Sequence, residues 1–209
     1  MSDFVVAIDG PAGSGKSSVS KAVARALGFG YLDTGAGYRA YALWGNQIGQ
    51  SGYYGDFPYD ISLDPDLAKV LLDGSDVTEQ IRTDQVARMV SDYAQLPEVR
   101  LLQQQDARRR ILSCDKPGIV VEGRDITTVV APDAQVRILL TASEEVRLKR
   151  RGLEQTESTA NLIARDQRDS KVAQFLTAPE GVKVVDTSDL DFEQSVQAVL
   201  REIARIRGE

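Results

Sequence analysis

Lys16 and Ser17 close the run Gly10, Pro11, Ala12, Gly13, Ser14, Gly15, Lys16, Ser17, which fits the pattern G-x-x-x-x-G-K-[ST] at every position. In such a run the glycines let successive backbone N–H groups turn toward one centre. The lysine adds a compact positive charge, and the hydroxyl offers an oxygen to a divalent cation. The combination suits the phosphates of a nucleoside triphosphate. Lys16 is expected at the β- and γ-phosphates and Ser17 on Mg²⁺, with the backbone from Gly10 to Ser18 around the remaining oxygens. A chance match in a Gly-rich turn is the plain alternative. Against it stand the apolar run Phe4 to Ile8 just before the loop and the helix-prone stretch Ser18 to Leu27 just after.

Two further stretches place chemistry-bearing residues beside apolar runs. Asp33 to Arg39 follows Tyr31-Leu32, and Glu122, Arg124 and Asp125 follow the apolar run that ends at Val121. Strand ends at the carboxyl edge of a parallel sheet form the ligand crevice, so Asp33 and Arg39 are expected to face the same bound molecule as Lys16. Glu122 at such an end can hold a water on Mg²⁺. Taken singly, each stretch also fits a surface turn with a charge pair.

The chain has no histidine and one cysteine, Cys114. Histidine acid/base chemistry and an internal disulfide are thereby excluded, most zinc sites are disfavoured, and Cys114 is expected to be a packing residue. Net charge is −6, which argues against a nucleic-acid surface. Yet 18 of the 25 basic residues are arginine, gathered around 108–110, 147–151 and 165–168. Arginine's planar fork matches phosphate oxygens two at a time, whereas solvated helix faces are the ordinary use of such residues. No run reaches the length of a membrane span, and Met1 to Asp3 lacks the basic start of a signal peptide. A cytoplasmic protein is expected. No exposed apolar helix demands a partner, so a monomer is the default.

The elements that must position these residues alternate. Apolar runs at 4–8, 118–121, 136–140 and 182–185 carry no polar alternation, and helical patterns lie between them. This predicts an α/β doubly wound parallel sheet of P-loop type with helices on both faces. The first helix should stop at Gly28. Short strands at 60–63 and 69–72, with turns at Asp64-Pro65 and Asp73-Gly74, predict a small β insert over about 52–82. Helices are expected over about 84–94 and, with Pro97 in its first turn, about 97–112. The Arg-rich stretch of about 143–170 has the composition of a helical lid. The core is then about 1–51, 83–142 and 171–209 of a single chain.

Together these motifs resemble the cytidylate kinase family of nucleoside monophosphate kinases. The resemblance rests on G-P-A-G-S-G-K-S at 10–17, L-D-T-G-A-x-Y-R at 32–39, D-V-T-x-x-I-R-T at 76–83, V-S-x-x-A-x-x-P-x-V-R at 90–100 and V-V-E-G-R-D at 120–125. R-x-x-R-D at 165–169 and V-D-T-S-D at 185–189 extend it. It implies transfer of the γ-phosphoryl group of ATP to CMP or dCMP with Mg²⁺. By the same resemblance, Ser91, Arg100 and Asp125 meet the cytosine edge, and Arg39 and Arg124 the acceptor phosphate. Asp33 and Thr34 lie on the acceptor side, Arg165 and Asp169 at the sugar, and the lid arginines Arg147 and Arg151 join Lys16 in neutralising the transferred group.

Three positions depart from the family pattern. Gly37 stands for a usual methionine, Thr127 for a glycine and Val172 for an arginine that contacts the nucleotide. A weaker or less selective acceptor site is expected from Val172, and a tightened turn from Thr127. The rivals are another small-molecule P-loop kinase (acting on UMP, dTMP or shikimate), a nucleotide-binding switch, and an inactive relic. Against the switch, no N-K-x-D guanine-reading motif occurs; against the relic, Lys16, Ser17, Asp33, Arg39 and Arg124 are intact.

Overall fold

The computed structural model describes residues 4–49, 57–67, 69–154 and 175–208, with side chains omitted for 151–154. Strand β1 (Phe4–Asp9) leads through the glycine-rich loop into helix α1 (Lys16–Leu27). β2 (Gly30–Asp33) and α2 (Thr34–Ile48) follow, then the short strands β3 (Tyr59–Ile61), β4 (Val70–Leu72) and β5 (Ser75–Asp76). A 3-10 turn (Gln80–Arg82) leads to α3 (Asp84–Tyr93) and α4 (Pro97–Ser113). The chain continues through β6 (Gly118–Gly123), a π turn (Ile126–Val130), β7 (Val136–Thr141), α5 (Glu144–Glu154), β8 (Lys183–Asp186) and α6 (Phe192–Arg207).

The main sheet is parallel throughout, in the order β2-β6-β1-β7-β8. Its central strands read as unbroken apolar runs because both faces are covered. Val6 and Ile8 point toward α1 and α6, while Ala7, between them, points to the face where α2, α3 and α4 pack. The same period of two puts Val120 on the first face and Ile119 and Val121 on the second. α1 ends where expected, at Gly28, whose φ of 64° admits the left-handed cap.

β3, β4 and β5 form a separate antiparallel sheet. The expected insert therefore carries a third strand, only two residues long and joined to β4 by the left-handed pair Asp73-Gly74. Its base is tied to α4 by Arg110, which donates to Asp60 Oδ1 at 2.7 Å, to the Tyr59 carbonyl at 3.2 Å and to Asp106 Oδ2 at 2.7 Å. α4 is consequently a polar helix with a buried polar face: Gln103 and Arg110 are 7% and 8% exposed. Cys114, at its end, is buried as a packing residue. Among the described residues no helix is long and apolar enough to cross a membrane.

Candidate active site

All the phosphate-binding candidates lie at the carboxyl edge of the sheet, between β1 and the start of α1. Gly13 and Gly15 take φ of 78° and 86°, which side-chain-bearing residues rarely adopt. Gly13 is also closed by contact, since a Cβ there would lie 2.7 Å from the Arg147 carbonyl. The loop is thus packed against α5 by its own lack of side chains. Arg147, expected on a lid, lies against this loop and donates to the Ala12 carbonyl at 3.0 Å. Ser18 Oγ turns back to the Gly15 carbonyl at 2.9 Å.

The charged centre is Glu122, at the end of β6 and 2% exposed. Lys16 Nζ lies 3.2 Å from Glu122 Oε2, Ser17 Oγ donates to Oε1 at 2.6 Å, and Tyr31 OH donates to the same oxygen at 3.2 Å. Burial pushes the Lys16 ammonium below its ordinary pKa, and the Glu122 charge opposes that shift. Burial and the same carboxylate push Tyr31 well above its ordinary value, keeping it a neutral donor. Thr34 Oγ1 holds the Glu122 carbonyl at 2.9 Å. A carboxylate and a hydroxyl side by side are hard oxygen donors of the kind Mg²⁺ takes, alongside phosphate oxygens and water.

Two cavities meet at this centre. The larger runs along the phosphate loop to Arg150, Leu190 and Phe192; the other lies toward Tyr38, Val90, Arg100, Arg124 and Asp125. Lys16, Ser17, Asp33 and Arg39 line both. Asp33 caps α2, accepting the Ala36 amide at 3.1 Å, and lies 3.9 Å from Arg39.

On the second side, Asp125 is 6% exposed and receives Arg100 at 2.7 Å and Gln104 at 3.3 Å, both on Oδ2. Arg124 donates to the Gly10 carbonyl at 2.7 Å and lies 4.4 Å from the centre of the buried Phe175 ring. Ser91 is 2% exposed, and its hydroxyl has no hydrogen-bond partner among the described residues; the same holds for the hydroxyl of Ser14 in the loop. A buried hydroxyl without a partner is costly unless a ligand supplies one.

Asp9, at the end of β1, accepts the amides of Ile126 and Thr127 at 2.9 and 2.8 Å and the Thr127 hydroxyl at 2.6 Å. Among the described residues only Asp73 combines a side chain with positive φ, so Thr127 strains no turn in standing where glycine is usual; it adds a bond instead. Gly37 has a physical reason too. A Cβ there would lie 2.3 Å from Gln103 Oε1, so Gln103 fills the space a side chain at 37 would need.

Arg165, Asp169, Val172 and the Arg151 side chain lie outside the described residues, as does the lid from 155 onward. Sequence reasoning assigned no role to Arg82, Gln104, Tyr31 or Arg150. Arg150 reaches the Ser14 carbonyl at 3.3 Å and the Thr187 carbonyl at 2.8 Å, stitching the loop to the segment after β8. The only sequence trace of that link was the V-D-T-S-D motif.

The cytidylate kinase family model matches residues 6–205. The cytidylate kinase of Cutibacterium acnes (strain DSM 16379 / KPA171202) is 42% identical over 219 residues, covering 95% of each chain. That of Streptomyces avermitilis is 43% identical over 211 residues, covering 94% of this chain and 90% of the relative. A gluconokinase structure from Sinorhizobium meliloti 1021 superposes with a TM-score of 0.56 at 17% identity over 98% of this chain and 94% of that one, a likeness of fold alone. The sequence match spans nearly every element that builds the two cavities, and the chain belongs to the cytidylate kinase family.

Proposed function

We propose that the chain transfers the γ-phosphoryl group of ATP to CMP or dCMP, giving CDP or dCDP and ADP, as a cytoplasmic enzyme. The observation that carries this is the junction of two cavities at Lys16, Ser17, Asp33 and Arg39, one lined by the phosphate loop and one ending at Arg100 and Asp125. An oxygen of the acceptor phosphate attacks the γ-phosphorus, and the bond from that phosphorus to the bridging oxygen breaks. Its electron pair leaves with ADP. The acceptor is already an anion, so the protein's work is alignment and charge neutralisation.

Lys16 and the loop amides hold the donor phosphates, while Arg39 and Arg124 receive the acceptor phosphate. Ser17 and Glu122 would hold Mg²⁺, which when bound offsets charge on the phosphates. Arg147, anchored on the loop, keeps its shape and adds positive charge beside it. At the base, Arg100 and Gln104 engage Asp125 Oδ2, which leaves Oδ1 to accept from the cytosine amino group. The unpartnered Ser91 hydroxyl supports a hydroxyl contact to the same base. Uracil would turn O4 toward a buried carboxylate, acceptor against acceptor.

Initial rates of ADP release with CMP, dCMP, UMP, AMP and shikimate test the assignment. The two cytidine nucleotides should be turned over fastest. Equal or faster turnover of UMP or shikimate would overturn it.

A further inference from the structure

Tyr31 lies on β2, opposite Val120 in the parallel register with β6. Both side chains pack into the apolar cluster on the α1 face of the sheet, Val120 fully buried and Tyr31 partly. Glu122 stands two residues beyond Val120, on the same face and about 6.6 Å further along the strand. A phenol is long enough to bridge that step. Its ring stays in the apolar cluster, and its hydroxyl ends on Glu122 Oε1 at 3.2 Å.

Glu122 is held at three points. Thr34 Oγ1 donates to its carbonyl at 2.9 Å, Lys16 Nζ meets Oε2 at 3.2 Å, and the Ser17 and Tyr31 hydroxyls converge on Oε1 at 2.6 and 3.2 Å. An ionised carboxylate only accepts, so both hydroxyls donate to it. The Ser17 hydrogen is thereby committed to Glu122, and the lone pairs of Ser17 Oγ are left for another partner. The holders differ in what a nucleotide can do to them. Lys16 and Ser17 line both cavities and Glu122 one, whereas Tyr31 is not among the described residues that line either. When Lys16 is drawn to the donor phosphates, Tyr31 remains as a donor that no ligand displaces. Turning the carboxylate would leave a largely buried hydroxyl unpaired, which resists the turn.

We infer that Tyr31 is a positioning residue for phosphoryl transfer: its hydroxyl pins Glu122 Oε1, so that Ser17 Oγ and Glu122 Oε2 stay together as oxygens for the divalent cation of the nucleotide. This rests on the reading, under Proposed function, that Ser17 and Glu122 would hold Mg²⁺. Tyr31 itself touches neither nucleotide nor reacting atoms, and acts only through Glu122.

Calorimetric binding of ATP, once with magnesium and once with EDTA, to the full-length wild-type, Tyr31→Phe, Glu122→Ala and doubly substituted proteins tests it. Phenylalanine keeps the ring and removes only the hydroxyl. Tyr31→Phe should weaken ATP binding about five- to tenfold with magnesium and leave it within about twofold in EDTA. The magnesium concentration for half-maximal CMP turnover should rise by a similar factor, with KM for CMP within about twofold of wild type. In the Glu122→Ala background the same change should cost less than about twofold, because the group it acts through is gone. Unchanged affinity of Tyr31→Phe with magnesium would overturn the role of Tyr31 alone. So would an equal loss with magnesium and with EDTA, the pattern of a displaced phosphate loop, or a full loss that persists without Glu122. A magnesium response unshifted in Glu122→Ala would overturn the metal reading itself.

Discussion

Thr127 donates its hydroxyl to Asp9 Oδ2 at 2.6 Å, and this bond joins the last residue of β1 to the turn that carries Arg124 and Asp125. Gly10, next to Asp9, receives Arg124 at 2.7 Å, so the start of the glycine-rich loop and the Arg124-Asp125 segment are locked in one ring of contacts.

Burial raises the Asp9 pKa, three donors pull it back, and the Asp125 charge adds a smaller rise. A carboxyl whose folded pKa is raised contributes most to stability below its unfolded value of 3.8 and loses that contribution as pH rises through the folded value. Thr127→Val removes one donor to the charged form and raises the folded pKa further. Its cost should therefore be about 1.5–3 kcal/mol near neutrality and shrink as pH falls toward the unfolded pKa. Urea denaturation at a series of pH values checks this; a cost independent of pH would contradict it.

Glu122 holds both Lys16 and Ser17, so Glu122→Gln should disturb two functions together. Lys16 loses the charge that keeps it protonated against burial, and the would-be metal site loses an anionic oxygen. Turnover should fall roughly 10- to 100-fold, with a higher Mg²⁺ concentration needed for half-maximal rate. Magnesium titration of the rate is the measurement, and an unshifted midpoint would separate Glu122 from the metal. Lys16→Ala should lower turnover by about 10³-fold with the fold intact.

The sheet and loop were legible because their signals are local. An apolar run is a buried strand, and G-x-x-x-x-G-K-S fixes its own backbone. Strand-end position also picked out Glu122 and Asp33. What stayed hidden was pairing at a distance. Arg150 and Ser14 stand 136 residues apart, and nothing in either neighbourhood announces the contact. The third insert strand has two residues, too few for any period. α4 reads as a solvated helix because the polar groups it buries, Arg110 and Gln103, are explained only by β3 and by Gly37.

Asp125 should govern the choice of base, and Gln104 should assist it. Asp125→Ala removes the proposed acceptor for the cytosine amino group and should reduce the CMP to UMP ratio of kcat/KM by roughly tenfold or more. Gln104→Leu leaves Arg100 as the anchor at 2.7 Å and removes only the 3.3 Å amide contact, so the ratio should fall by about two- to fivefold. Rates on both nucleotides for the two variants decide it. A larger loss in Gln104→Leu than in Asp125→Ala would reverse their order of importance.

Gly37 and Gln103 compete for one volume, and a double-mutant cycle can show it. In an ordinary helix interior, alanine is more stable than glycine by about 1 kcal/mol. At position 37 the new Cβ would lie 2.3 Å from Gln103 Oε1, while the Tyr59 hydroxyl at 3.4 Å is an ordinary contact. Gln103 is 7% exposed, and its Nε2 already lacks a partner among the described residues, so the side chain has few low-energy places to move. Gly37→Ala alone should therefore destabilise the fold by about 1–3 kcal/mol, the usual range for overpacking. In a Gln103→Ala background the obstacle is gone, and the same change should stabilise by about 1 kcal/mol. The sign reversal, read from urea denaturation of the four proteins, is the signature of the contact. A Gly37→Ala effect of equal size and sign in both backgrounds would mean that something other than Gln103 requires glycine there.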